Sequence, residues 1–141
     1  MRSHHRSLFR SGLISGIILS FLTSAIVISP ALINPALASE ASVLDVVAVA
    51  NDDGTYGFNV TISHNDEGWS HYANKWEVLT PQGKVIGTRI LFHPHVKEQP
   101  VMRTLSRVEI PIGVTEVTIR AFDTVSGPGS RTMTVQLPPR K

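Results

Sequence analysis

The chain has 141 residues, 13 Lys and Arg against 11 Asp and Glu, and no cysteine. Without cysteine it cannot be a disulfide scaffold, and it offers no thiol to carry a lipid, so a hydrophobic core must hold it together. The formal charge of +2 is set by Arg2, Arg6 and Arg10. Without them 10 basic side chains face 11 acids, net −1, which excludes a nucleic-acid or anionic-membrane partner chosen by bulk charge.

Those three arginines open a segment that then runs apolar from Gly12 to Ile28, meets Pro30 and Pro35, and ends in Ala36-Leu37-Ala38. A basic start, an apolar middle and a small-x-small box are the parts of a secretory signal peptide, with cleavage expected after Ala38. An uncleaved anchor is the alternative, since the apolar run approaches the roughly 20 residues that span a bilayer. The expected organisation is therefore a signal peptide over 1–38 and one domain over 39–141, exported to the periplasm or the exterior. Its roughly 100 residues suffice for a core of their own.

From Ser39 onward short β-rich runs alternate with turn chemistry and no helical period is sustained. Val43 to Ala50 is the first run, closed by the hairpin signal Asn51-Asp52-Asp53-Gly54. In Thr55 to Ser63, Tyr56, Phe58, Val60 and Ile62 alternate with polar residues, which predicts one buried and one wet face. A polar loop over 64–74 leads to a strand from Lys75 to Thr80, with Trp76 and Val78 inward. The turn Pro81-Gln82-Gly83 follows, then a strand from Lys84 to Phe92. Over Val101 to Ile110 the apolar positions Leu105 and Val108 differ in parity, which predicts a bulge near Ser106 or Arg107. Thr115 to Asp123 alternates with Val117, Ile119 and Ala121 inward. A Gly/Pro/Ser loop, 125–130, precedes a last strand with Met133, Val135 and Leu137 inward.

Seven short strands with turns every eight to twelve residues predict an all-β fold, a single antiparallel seven-stranded sandwich of immunoglobulin or fibronectin III type. Loops of such a sandwich alternate between its two ends. Loops 64–74, 93–101 and 124–130 then share one end, and the tight turns 51–54, 81–83 and 111–114 share the other. The long-loop end receives His64, His71, His93 and His95, and with them Trp69, Tyr72, Glu98 and Gln99. Recognition sits on long loops more often than on minimal turns, so this is the expected functional end.

The strings Gly68-Trp69, His71-Tyr72-Ala73, Trp76-Glu77-Val78 and His93-Pro94-His95 with Glu98-Gln99-Pro100 resemble a family of small exported bacterial β-sandwich proteins. The resemblance runs from about residue 58 through the domain and implies no particular activity. Where that family continues with Phe-Thr, this chain has Val101-Met102.

Two readings of the loop end follow. In the first, this is a non-enzymatic binding or interaction domain for a protein or small ligand, with Trp69, His71, Tyr72, His93, His95, Glu98 and Gln99 as its surface. Trp69 and Tyr72 then face a ligand or close the top of the core. In the second, His71, His93, His95 and Glu98 hold a transition metal, copper or zinc, because neutral imidazoles are common ligands of both. No HExxH or CxxC pattern, nucleophile motif or phosphate-cradling glycine loop accompanies them, so neither catalysis nor an obligate cofactor is expected. The strand arginines Arg89, Arg103 and Arg107 read as residues of wet faces.

Overall fold

The computed structural model describes residues 40–141; the expected signal peptide lies outside them. The strands are β1 (Ser42–Ala50), β2 (Tyr56–Ser63), β3 (Ala73–Leu79), β4 (Val85–Ile90), β5 (Val101–Val108), β6 (Glu116–Asp123), β7 (Gly127–Pro128) and β8 (Met133–Gln136). One antiparallel sheet runs β1-β2-β5. The other holds five strands, β4-β3-β6 with β7 and β8 both on the far edge of β6.

Eight strands therefore replace the expected seven, because the last edge is built in two pieces. β7 lies opposite Phe122 and Asp123, and β8 lies opposite Glu116 to Ile119. Between them the chain turns to the start of β1. Val43 N–H donates to Arg131 O at 3.0 Å, and Ser130 N–H donates to the Glu40 carboxylate at 2.9 Å. Gly129 makes this crossing sterically possible, since a Cβ there would fall 1.8 Å from the Ala41 carbonyl oxygen.

Alternation decides which side chains enter the core. On β2, Tyr56, Phe58, Val60 and Ile62 are buried, as their spacing predicts, and on β6 the same holds for Val117, Ile119 and Ala121. Trp76 and Val78 of β3 join them in one cluster, with Val43, Val46, Val101 and Val108 from the other sheet. Area removed from water at about 25 cal/mol per Å² makes this shared layer the main stabilising term.

The expected bulge is present. Tyr56 pairs with Val108 and Phe58 with Leu105, so a single residue, Gly57, faces two, Ser106 and Arg107. Arg107 takes a left-handed φ of 55°. The extra residue returns Val108 to the buried side, while Leu105 packs against the core only in part.

Gly129→Ala is the sharpest test of the crossing. The alanine methyl meets backbone rather than a flexible side chain, so we expect a loss of about 1–3 kcal/mol or more in urea unfolding. Unchanged stability would mean that β1 and the β7–β8 segment do not approach as described.

Candidate functional site

The inward phase of β2 and of β6 does not stop with the strands' apolar residues. After Tyr56, Phe58, Val60 and Ile62 the next inward position is His64, and after Val117, Ile119 and Ala121 it is Asp123. Both are buried. Because β2 and β6 belong to opposite sheets, the two polar side chains meet across the sandwich at the loop end and cap the core there.

Asp66, two residues beyond His64, organises the surroundings. Its carboxylate accepts from His64 Nδ1 at 2.6 Å, from Ala73 N–H at 3.0 Å and from His95 N–H at 2.6 Å. Both side chains of the His64–Asp66 pair are 0% exposed. A buried carboxylate needs this many donors to offset its desolvation. Gln99 adds a second tie, accepting from His64 N–H at 3.1 Å and donating to His95 O at 3.3 Å. Thr124 makes a third: its Oγ1 accepts from Tyr72 N–H at 3.2 Å, and its own N–H donates to Tyr72 O at 3.0 Å. All three long loops are thus fastened to one another, as the strand directions require.

His71 completes a small cluster. Its Nε2 lies 3.2 Å from His64 Nε2 and 3.3 Å from Asp123 Oδ1, and its Nδ1 lies 3.3 Å from Glu67. A ligand atom from each of His64, His71 and Asp123 falls within 4.8 Å of the others. Asp123 Oδ1 also accepts from Val125 N–H at 2.9 Å and Ser126 N–H at 2.6 Å, whereas its buried Oδ2 has no partner. Burial alone would raise the Asp123 pKa, but the Ser126 and Val125 amides and the two histidines hold it below the usual carboxylate range.

The other expected site residues lie elsewhere at this end. His95 is buried, and its Nε2 accepts from the Arg103 guanidinium at 2.9 Å. Burial, Arg103 and His93 together push the His95 pKa down. The exposed His93 stacks on His95 with ring centroids 4.4 Å apart and turns its Nδ1 toward Pro94 O. Glu98 is exposed, 3.9 Å from Arg103. Of the four expected metal ligands, the compact cluster contains His71 alone.

Trp69 does not close the core, being 70% exposed with its ring edge-on to Tyr72 at 5.8 Å. His64, Asp66 and Asp123 close it instead. The signal for them was in the sequence, as a polar residue continuing the buried phase of a strand. Arg103, expected on a wet face, turns instead to His95.

Two outcomes check this geometry. Asp66→Ala strands three donors in a dry site and should cost about 3–5 kcal/mol in chemical unfolding; a loss under 1 kcal/mol would contradict the shared-acceptor role. His95 has its folded pKa held below the ordinary histidine value of about 6.5 by burial, Arg103 and His93, so the unfolded chain takes up a proton first on acidification. Its contribution is complete above pH 6.5 and declines as pH falls below that value. His95→Gln should accordingly flatten the stability profile below about pH 6.5, and an unchanged slope would count against it.

No family model and no solved structure matches the chain. It is similar to a protein of Halomicrobium mukohataei named "Putative lipoprotein", 36% identical over 96 residues. The match takes in 68% of this chain and 47% of that protein, so the chain spans about half the length of this curated relative.

Proposed function

We propose that the chain is an exported, non-enzymatic binding domain on an immunoglobulin- or fibronectin III-type sandwich, and that its long-loop end is the recognition surface. The observation that carries this reading is the mutual fastening of three loops through Asp66, Gln99 and Thr124. Loops fixed in this way lose little entropy when a ligand docks. Each carries an exposed apolar side chain: Trp69 on the first, Phe92 at 75% exposure beside the second, Val125 at 66% on the third.

The sandwich type is supported by the strand order, β1-β2-β5 facing β4-β3-β6 with β7 and β8 at the edge. Export is supported by the basic, apolar and Ala-x-Ala order of residues 1–38 and by the name of the relative. The sequence has no cysteine, so attachment to a membrane would not run through a lipidated thiol. No helix among the described residues is long and apolar enough to cross a membrane. The ligand is a protein or small molecule rather than nucleic acid, in keeping with the near-neutral charge of the domain.

Metal binding centred on His71, His93, His95 and Glu98 has weaker support. The lone pair of His95 Nε2 already faces a guanidinium at 2.9 Å, and a metal there would have to displace a fixed positive charge.

The opposite end supplies a control for mere stickiness, since Ile112 in its turn is 99% exposed. Immobilised wild type and Ile112→Ser should retain the same component from the envelope fraction of the producing cells. A Trp69→Ser, Phe92→Ser double variant should lose it. Equal retention by all three, or loss with Ile112→Ser alone, would remove the loop end as the recognition surface.

A further inference from the structure

The geometry points to a mononuclear site for a divalent transition ion, zinc or copper in type, ligated by His64 Nε2, His71 Nε2 and the Asp123 carboxylate. It stands on its own geometry and does not require that the exposed loop residues recognise a partner.

The inference begins with where the protons sit. An ionised carboxylate only accepts, so the 2.6 Å contact from His64 Nδ1 to Asp66 places the ring hydrogen on Nδ1 and leaves a lone pair on Nε2. His71 has a carboxylate on each side, Glu67 at 3.3 Å from Nδ1 and Asp123 at 3.3 Å from Nε2, so a hydrogen on Nδ1 turned to Glu67 leaves the Nε2 lone pair facing the cluster. Two imidazole lone pairs then face each other at 3.2 Å, with a carboxylate oxygen 3.3 Å from one of them. In that tautomer three acceptors converge with no hydrogen between them and repel, unless a cation lies among them.

A proton added at His71 Nε2 would relieve part of this repulsion. It would leave Asp123 Oδ2, buried at the same place, still without a partner. A metal ion satisfies all three groups, and the free oxygen can turn to it. Buried polar atoms are rarely left unpaired; of the five such side-chain atoms among the described residues, Asp123 Oδ2 is the carboxylate oxygen and belongs to this cluster, an observation separate from the histidines.

The distances fit. Ligand atoms about 2.0–2.1 Å from a tetrahedral ion lie roughly 3.3–3.4 Å from one another, close to the 3.2 and 3.3 Å observed. The third edge, from His64 to Asp123, lies within 4.8 Å. Two imidazoles and one carboxylate without thiolate suit zinc or copper(II) better than magnesium or calcium, which take oxygen ligands.

The surroundings also match a built site. Each histidine has a carboxylate beside its other ring nitrogen, at 2.6 Å for His64 and 3.3 Å for His71, the arrangement that orients a ligating ring and raises the basicity of its free nitrogen. His64 and Asp123 have no exposed side-chain surface, while His71 is 13% exposed. Access for the ion and for a water completing its shell is therefore from the His71 side.

The test is calorimetric titration of the untagged full chain with Zn(II), and separately with Cu(II), in a background where His4→Ala and His5→Ala remove the N-terminal histidines. Asp123→Asn keeps the carbonyl that accepts from Val125 and Ser126, and His71 is partly exposed, so both variants at these positions should fold; circular dichroism without metal verifies this. One equivalent should bind, with affinity falling roughly a hundredfold or more in His71→Ala and Asp123→Asn. Glu67→Gln, which touches no metal, should cost about tenfold. His93→Ala should leave binding unchanged. Binding that survives Asp123→Asn within tenfold, or that disappears in His93→Ala, overturns the assignment, as does the failure of either ion to bind the folded wild type.

Discussion

The buried carboxylate of Asp66 is the constraint on which the loop end depends. Burying an ionised group is costly unless its oxygens are fully engaged, and here the donors come from three places: its own loop, the first residue of β3 and the loop after β4. The cost of desolvation is thus converted into a geometric requirement. Unless all three segments arrive together, Asp66 is left short of donors, and this selects one arrangement of long loops that have little regular structure of their own.

The same principle explains why the site lies where it does. The interior of the sandwich is apolar from Tyr56 and Val117 up to Ile62 and Ala121. At the next inward step each of these strands supplies a polar residue, His64 or Asp123. Neither is free to swing into water, because the alternation of the strand holds it over the core. The polar groups must find one another across the two sheets, and His71 is brought to them by the short turn in which Glu67 N–H donates to His71 O at 2.9 Å. The result is a polar layer set on an apolar floor, on an end whose loops carry, or lie next to, exposed Trp69, Phe92 and Val125.

His93 and His95 illustrate the opposite case. Their spacing around Pro94 is the most conspicuous feature of the sequence, yet neither enters the cluster: His95 is locked between Asp66 and Arg103, and His93 lies against it. An imidazole pair at i and i+2 shares a side of an extended chain, but sharing a side says nothing about what else stands within reach. His95 found a guanidinium, and its lone pair faces that charge.

What could be read from the chain alone is whatever depends on period and on local backbone chemistry. The alternation on β2 and β6, the bulge at Arg107, the tight turns and the gathering of four histidines at one end all follow from parity, turn residues and strand direction. The division of the last strand into β7 and β8 does not, because it depends on a contact between Gly129 and Ala41, which are far apart in sequence. Nor do the pairings His64 with His71 across their shared loop, and His71 with Asp123 and His95 with Arg103 between separate elements, at distances of 2.9–3.3 Å. Periodicity determines which face a side chain takes; which partner waits there is decided only when two sheets and three loops close on one another and their buried polar atoms compete for partners.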